Sequence, residues 1–428
     1  MKMGSILWSL VCVALVWGGA ADVEARSLAE RIDSLFGERG ILIDVRPLDP
    51  RFPPHTAHFS SSSLATLGLL VKQLAPSAAD FPAISTVPGF TYRYNPQIDE
   101  FERSSASLGP VFVERAHTLG QGKFDLGFSY LFVDFDELNG KSLDRLAFRG
   151  LQHSDCCGPQ PSPGFPAFEH DTAEVLFERF TLKSHVVSFF ATYGLTDRWD
   201  VNLLLPVVFT SLNLRARAHL DNQSGIHFFD IDSRRVDEVR SVNDDKTGVG
   251  DIQLRTKYHL LDAKGFNLAS GLTLRVPTGA EEDFQGIGDI TLTPFLALSQ
   301  EYGRLDVHAS TGIELNFDDS DRSRVRYAGG MTLQVVEQLA LIVDVIGSAN
   351  LTTDRIAVEV PQFVGAETTP SSFSTVTKTL STDIVDLAVG FKVNLYRSVV
   401  GFANVFVPLN DDGLRSKVIP AAGLEVSF

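Results

Sequence analysis

The carboxyl-terminal segment constrains the fold of this chain more than any other part. Residues 418–428 end in a strict alternation, with Ala422, Leu424, Val426 and Phe428 on one face and small or polar residues on the other. A half-buried β-strand has this period of two. A strand that stops on a terminal aromatic residue is typical of barrels in the bacterial outer membrane. The segment therefore predicts an all-β protein in that membrane.

The amino terminus predicts export. A short basic start is followed by an apolar run from Ile6 to Trp17 and by small residues that end at Ala21. This pattern is typical of a secretory signal peptide, because a membrane-spanning helix needs roughly 20 apolar residues. We therefore predict that residues 1–21 are a signal peptide.

Composition argues against several other classes of protein. The net charge of −16 argues against nucleic acid as a partner. Outside the signal peptide the cysteines are Cys156 and Cys157, and two adjacent cysteines are not a disulfide scaffold. This pair forms either a strained disulfide or two free thiols, and the sequence does not decide between these alternatives. The stability of so long an exported chain must come from a large core or a closed sheet.

Alternating segments predict 12 strands from residue 122 onward. In the segment 305–316, for example, mostly apolar residues at odd positions alternate with polar or small residues at even positions. Segments of about ten alternating residues separated by turns are the sequence signature of a membrane barrel. The predicted strands cover 122–136, 174–194, 198–218, 249–262, 266–278, 288–300, 303–316, 324–336, 339–352, 382–396, 398–409 and 418–428.

The connections between these strands alternate in length. Short turns such as 262–265 and 337–338 alternate along the chain with long polar connections. Outer-membrane barrels have short periplasmic turns and longer external loops. If Phe428 lies at the periplasmic side, every long connection falls outside the cell. These predicted external loops are 137–173, 219–248, 279–287, 317–323, 353–381 and 410–417.

These patterns predict a transmembrane, antiparallel, up-and-down β-barrel over residues 122–428. A sheet in hydrocarbon must close on itself, because every backbone group needs a partner there. Arg or Lys on the lipid-facing side would cost about 2–4 kcal/mol near the midplane, so charged residues are expected inside. Such charges either form structural pairs that fill the lumen or act directly in permeation. The candidate lumen-facing residues are Arg255, Lys257, Arg275, Asp306, His308, Glu314, Arg326, Asp344 and Lys392.

Pro294 is a candidate defect in the barrel wall. It lies in the middle of a predicted strand, and proline cannot donate a hydrogen bond to a β-ladder. The defect is either a simple bulge or a side opening towards lipid.

Residues 22–121 lack the strand rhythm. Ser27 and Glu30 form a capping-box pattern that predicts a short helix, and a second helical run is predicted over 64–74. A hairpin near residues 89–112 would raise the strand count from 12 to 14 if it joined the barrel. This region is either a plug inside the lumen or a periplasmic or partly ordered extension.

The sequence offers no pattern for catalysis or for a cofactor. A GxSxG-type nucleophile motif is absent, and Ser184 and His185 fall on opposite faces of one predicted strand. We therefore predict no enzymatic activity, no cofactor and no metal site in the barrel. The predicted external loops carry acidic clusters, which are either plain solvated loops or sites where a divalent ion bridges to lipopolysaccharide.

Several short motifs resemble an outer-membrane transporter family of the meta-pathway phenol-degradation type. They are 116–124, 192–200, 248–251 and 276–279, together with Leu205-Pro206 and Lys257-Tyr258. The resemblance covers roughly residues 110–428 and extends to the wider clan of long-chain fatty-acid transporters. It implies a plugged barrel for the uptake of hydrophobic small molecules, including aromatic compounds, with lateral release into the membrane as one route.

The predicted function is passive uptake of a hydrophobic or aromatic small molecule through a monomeric barrel of 12–14 strands in a Gram-negative outer membrane. Two alternatives stay open. One is a general porin for polar solutes, because the predicted lumen is charged. The other is a surface or structural barrel that acts through its long external loops. The expected surroundings are the lipid bilayer and lipopolysaccharide.

Overall fold

A computed structural model of the protein describes most of the chain from residue 108 onward and parts of the chain before it. The described residues are 26–36, 41, 44–45, 68, 70–72, 74–87, 89–95, 100–103, 108–152, 171–223, 225, 227–263, 265–352, 354–362, 372–380 and 383–428. The predicted signal peptide and the Cys156–Cys157 pair lie outside them.

A closed, antiparallel barrel of 12 strands forms the body of the protein, which confirms the predicted fold class. The strands are β1 (Phe124–Phe135), β2 (Thr172–Thr196), β3 (Trp199–Asp221), β4 (Ile252–Ala263), β5 (Phe266–Val276), β6 (Thr291–Tyr302), β7 (Leu305–Asn316), β8 (Arg324–Val336), β9 (Leu339–Asn350), β10 (Ile384–Tyr396), β11 (Val399–Pro408) and β12 (Ile419–Ser427).

The barrel closes where the last strand meets the first. Strand β12 pairs with β11 on one edge and with β1 on the other. Beyond the end of β12, Phe428 exchanges two backbone hydrogen bonds of 2.8 Å with Phe124. The terminal aromatic residue is therefore a member of the closing ladder.

The strand count is 12 and not 14. A hairpin does form in the amino-terminal region, from Tyr92–Asn95 and Glu100–Arg103, but it is a separate two-stranded sheet. It cannot join the barrel at β1, because both edges of that strand are already occupied by β12 and β2.

The outward face of the barrel is apolar and carries an aromatic girdle. Side chains such as Leu254 and Leu296 are about half exposed on this face. Exposed aromatic residues gather beside the short turns, where outer-membrane barrels place a girdle at the lipid–water interface. These aromatic residues are Tyr193, Trp199, Phe266, Tyr302, Tyr396 and Phe428. The protein is an outer-membrane barrel. Barrels of this kind have their short turns in the periplasm, and the two ends of this barrel are named here on that basis.

Strands β2 and β3 continue well beyond the membrane on the external side. On the outward face of β3 the sequence changes from Phe209 to Ser211, Asn213 and Arg215, which marks the upper boundary of the lipid-facing band. Roughly ten residues suffice to cross the bilayer as a tilted strand, whereas β2 has 25 and β3 has 23. The upper halves of these strands therefore build an external body.

The predicted loop 219–248 contains a strand, which corrects the sequence-based interpretation. Asp237–Val249 pairs with β3 over residues 207–219. Strand β4 takes the same edge of β3 only from residue 199 to 204, so the edge above it is free. Both faces of this strand carry polar residues outside the membrane, and this hides the alternation that reveals the other strands.

Short strands and 3₁₀ turns complete the external side. Asp44–Val45 pairs with His227–Phe228, Ala147–Gln152 pairs with β2, and Asp354–Gln362 pairs with Ser372–Leu380. Glu137–Leu138 pairs with both Lys141–Ser142 and Leu414–Arg415, and 3₁₀ turns lie at Leu143–Arg145, Glu281–Asp283 and Ser320–Arg322.

The described helices lie at the external end. Helix α1 (Leu28–Asp33) begins with the predicted capping box, because Ser27 and Glu30 each bond the other's backbone N–H. Residues 68, 70–72 and 74–78 are also helical. Among the described residues no helix is long and apolar enough to cross a membrane.

An apolar core joins these helices to the external body. Leu28 and Ile32 of α1 are fully buried in the same cluster as Leu212 and Leu214 of β3. The backbone N–H of Leu28 also donates to Asp283 in the predicted external loop 279–287, at 2.9 Å. The start of the described chain thus covers the external mouth of the barrel.

Candidate functional site in the barrel lumen

The described residues between 79 and 121, called here the luminal segment, run through the barrel from its external to its periplasmic end. At the external end the carbonyl of Ala79 accepts a hydrogen bond of 3.0 Å from Arg275. At the periplasmic end Thr118 and Gln121 bond Asp197 in the short turn between β2 and β3. Between these points the segment is bonded by inward side chains from several strands.

The candidate lumen-facing residues lie on the inner wall. Arg255, Lys257, Arg275, Asp306, His308, Glu314, Asp344 and Lys392 are buried, whereas Arg326 is partly exposed. Their neighbours along each strand point to lipid, so these charged groups face the luminal segment. Their part in the passage of a solute stays a prediction.

Lys257 is the central contact between the wall and the luminal segment. Its Nζ atom lies 2.7 Å from the Glu114 carboxylate and donates to the Arg115 carbonyl at 2.9 Å. Glu114 also accepts a hydrogen bond of 2.8 Å from the backbone of Thr86. The Glu114 side chain is 13% exposed, so burial alone would favour its neutral form. Glu114 is therefore a buried carboxylate that needs its cationic partner.

Lys392 holds the opposite side of the luminal segment. Its buried ammonium group donates to the carbonyls of Leu108 and Pro110 at 3.2 and 2.8 Å. The carboxylate of Glu425 on β12 lies 3.6 Å away. Asp344, another of the predicted residues, is fully buried on the neighbouring strand β9. In the ladder between β9 and β10, Lys392 pairs with Ala340, four residues before Asp344.

His308 and Asp306 lie lower on the inner wall. The hydroxyl of Ser299 is 3.0 Å from Nδ1 of His308 and accepts a hydrogen bond of 3.0 Å from the backbone of Ala116. This Ser–His contact is therefore tied to the luminal segment. Asp306 is buried two residues before His308 on the same strand.

An ion-pair cluster surrounds Asp80 near the external end. The Asp80 carboxylate lies 2.7 Å from Arg326, 2.9 Å from Arg324 and 3.4 Å from Arg275. Glu314 bonds both Arg324 and Arg326 from the other side, at 2.7 and 2.6 Å. Burial alone would favour the neutral form of Asp80, but three guanidinium groups lie within ion-pair distance of its carboxylate. The cluster is thus ionised at neutral pH.

A cavity of about 180 Å³ lies beside this cluster in the external half of the lumen. Phe81 and Phe112 of the luminal segment and Phe295 of β6 line it with aromatic surface. The polar lining comes from hydroxyls and charged groups. The members of this polar lining are Asp80, Glu114, Gln253, Arg255, Thr273, Arg275, Thr291, Thr293, Ser310, Thr311, Glu314, Arg326 and Tyr327.

The wall beside the cavity is interrupted at Pro294. Strands β6 and β7 pair at Leu292–Leu315 and again at Phe295–Gly312, but not at Thr293 or Pro294. The register is the same on both sides of the gap, so no residue is inserted and the feature is not a bulge. Pro294 itself is exposed on the lipid-facing side. The predicted wall defect is therefore a gap in one ladder, and its use as a side opening stays a prediction.

Sequence reasoning did not find the partners of these wall residues in the luminal segment. Arg115 is buried there and Asp80 and Glu114 are largely buried, in a stretch without helical or strand periodicity. A signal was present, because Glu114-Arg115 is a charged pair next to the apolar run Val111–Val113. A charged pair in such a run needs buried partners, and a charged inner wall supplies them.

Metal binding has no visible basis in the parts of the chain that the structure describes. No group of three or more His, Cys, Asp or Glu side chains is arranged there to hold an ion.

Comparison with known families finds one match. Residues 177–369 match the family model described as "Putative MetA-pathway of phenol degradation", which confirms the predicted resemblance. No curated protein matches the chain.

Solved structures with a similar fold are outer-membrane barrels. An outer membrane channel from Pseudomonas putida F1 is 13% identical with a TM-score of 0.44, covering 73% of this chain and 98% of its own. The CymD monoaromatic hydrocarbon channel is 12% identical with a TM-score of 0.30, covering 72% and 89%. A FadL homologue of Pseudomonas aeruginosa is 10% identical with a TM-score of 0.32, covering 81% and 97%.

Proposed function

We propose that the protein is an outer-membrane channel for the passive uptake of hydrophobic or aromatic small molecules, with residues 22–121 as its plug. One observation carries this proposal: the luminal segment crosses the barrel and leaves, in the external half, a cavity lined by Phe81, Phe112 and Phe295. A barrel filled in this way has no wide aqueous path among its described residues. The matched family description, which names phenol degradation, supports aromatic compounds as cargo.

The pairing of the inner-wall charges speaks against a general porin. Lys257 is bound to Glu114, and Lys392 to the carbonyls of Leu108 and Pro110. Charges held in this way fix the luminal segment and are not free to line a water-filled pore. No enzymatic step is part of the proposal.

The external body favours a second function at the cell surface. Strands β2 and β3 project beyond the lipid-facing band and share a core with α1. This body is a candidate surface for interactions with lipopolysaccharide, through divalent ions that bridge the acidic loops to it, in a barrel that we propose to be monomeric. Adhesion or lipopolysaccharide binding without transport would support this reading.

Transport and conductance measurements together test the proposal. The purified protein in planar bilayers should conduct ions only weakly, because the lumen is occupied. Proteoliposomes should take up toluene or benzyl alcohol faster than protein-free liposomes, but not sucrose. A deletion strain should grow poorly on a limiting aromatic carbon source. Large steady currents with rapid sucrose entry would contradict the proposal and support a general porin.

A further inference from the structure

The lumen cavity has two chemically different sides. Its aromatic side is formed by Phe81, Phe112 and Phe295, and its polar side includes the buried guanidinium of Arg255. A cavity of about 150 Å³ in another protein is known to hold benzene, so the 180 Å³ of this cavity suffices for one substituted aromatic ring. The inference that follows rests on the proposed function and concerns its cargo.

Arg255 differs from the other basic groups around the cavity because it forms no ion pair among the described residues. Its Nε atom donates to Asn202 at 2.8 Å and its Nη1 atom to the carbonyl of Ile84 at 2.5 Å. Its Nη2 atom is buried and has no hydrogen-bond partner in the described part of the chain. Arg255 thus keeps an unused donor, and the carboxylate whose charge acts on it, Glu114, is already bound by Lys257.

The carboxylates that line the same cavity are already neutralised. Glu114 is bound by Lys257, and Asp80 and Glu314 share Arg324 and Arg326. Arg275, the remaining basic group of the lining, lies 2.8 Å from Asp251. The charge that is left over in this part of the lumen is therefore the positive charge of Arg255.

A buried guanidinium that no carboxylate bonds directly is a binding group for an anionic ligand. Hydrogen bonds between a guanidinium and a carboxylate are about twice as strong as neutral ones, and the planar fork of arginine fits the two carboxylate oxygens. The aromatic side chains can hold the ring of such a ligand by offset or edge-to-face contacts. The lining therefore matches a molecule with one ring and one anionic group.

We propose that the cavity binds a small aromatic carboxylate of the size of benzoate, and that Arg255 determines this specificity. The ring would lie among Phe81, Phe112 and Phe295, and the carboxylate would accept hydrogen bonds from Arg255 and from the neighbouring hydroxyls of Thr273 or Thr293. Neutral aromatic molecules would enter the same cavity without the contribution of the ion pair.

Competing cargo in proteoliposomes tests this inference. The measured quantity is the ratio of the uptake rates of benzoate and benzyl alcohol, for the wild type and for Arg255→Gln, Arg255→Lys and Arg198→Gln. We expect Arg255→Gln to lower the ratio about tenfold, because benzoate loses its ion pair and benzyl alcohol has none to lose. Arg255→Lys keeps the charge without the fork and should give an intermediate ratio. Arg198, an exposed residue of a periplasmic turn, is the matched control and should not change the ratio.

The outcomes separate this inference from the proposed function. If the wild type takes up neither compound, the proposed function fails. If benzyl alcohol enters but the ratio is the same for wild type and Arg255→Gln, the specificity inference is wrong and the uptake function stands. Because Arg255 also holds the carbonyl of Ile84, sucrose entry is measured in parallel. A variant that admits sucrose while losing the benzoate preference would show that Arg255 only anchors the luminal segment, which overturns the inference.

Discussion

Glycine residues on the inner wall make room for large side chains on the neighbouring strand. Phe190 is paired with Gly127 in the ladder between β1 and β2, and its ring lies over the glycine. A Cβ atom at position 127 would overlap Cζ of Phe190 and lie 2.5 Å from the backbone oxygen of Leu424. The same arrangement recurs at Gly271 under Phe295 and at Gly423 under Phe402. These pairs keep aromatic rings flat against the wall and leave width for the luminal segment.

We expect Gly127→Ala to destabilise the barrel by about 1–3 kcal/mol, the usual cost of overpacking. The contact with a backbone oxygen cannot be relieved by a side-chain rotation. The measurement is the free energy of unfolding in urea with detergent micelles. The control is Gly329→Ala on the lipid-facing side, where a Cβ atom would meet only the backbone oxygen of His308, at 3.9 Å. Equal stabilities of the two variants would contradict the packing argument.

At the scale of elements, helix α1 responds to pH through its last residue. Asp33 ends α1 and is half-buried against the external body. Burial raises the pKa of Asp33 to about 6. The positive charge of Lys72 opposes this rise in pKa, and the negative charge of Glu30 adds to it. A carboxyl whose pKa is higher in the folded than in the unfolded chain binds its proton more tightly when folded. The docking of α1 therefore gains stability as pH falls from 7 through 6, and loses it as pH rises.

We expect the backbone amides of residues 28–36 to be better protected from hydrogen exchange at pH 5 than at pH 7.5, after correction for intrinsic exchange rates. Asp33→Asn should remove most of this difference and should protect the helix at pH 7.5, because the amide does not ionise. The Arg31–Asp244 ion pair also holds α1 and is the same in both proteins, so a difference in protection between them is assigned to Asp33. Protection of the wild type that does not vary with pH would refute the assignment to Asp33.

The strands could be predicted from the sequence where one face of the strand contacts lipid and the other faces the lumen. The segments that became β4 to β9 alternate between lipid and lumen, and their predicted bounds agree with the structure to within a few residues. Asp237–Val249 was missed because both of its faces are polar outside the membrane. The capping box of α1 was found because its signal is local to Ser27 and Glu30.

At the scale of the whole molecule, the sequence predicts one half of the candidate site. Charged residues on the wall, such as Arg255 and Lys257, can be recognised in the sequence because they alternate with the apolar residues that face lipid. Their partners in the luminal segment depend on contacts between residues far apart in the chain, such as Lys257 with Glu114. No periodicity marks such contacts, so the path of the segment and the cavity beside it required the structure.

The wall and the luminal segment are two parts of the molecule that a single wall residue couples. Lys257 is 1% exposed, and both of its hydrogen bonds go to the luminal segment. Methionine has a similar length but no charge. Lys257→Met would therefore leave the largely buried Glu114 carboxylate without the cation that is bound to it. Removing one partner of a buried ion pair costs about 3–5 kcal/mol.

We expect this cost to fall on the position of the luminal segment and not on the barrel, because the ladders of β4 do not depend on the Lys257 side chain. Lys257→Met should therefore raise single-channel conductance several-fold and admit sucrose, while the barrel keeps its resistance to unfolding in detergent. Arg198→Gln again serves as the control and should conduct as weakly as the wild type. If Lys257→Met folds normally and stays as silent as the control, the luminal segment is not held by this contact and the plugged-channel proposal loses its main support.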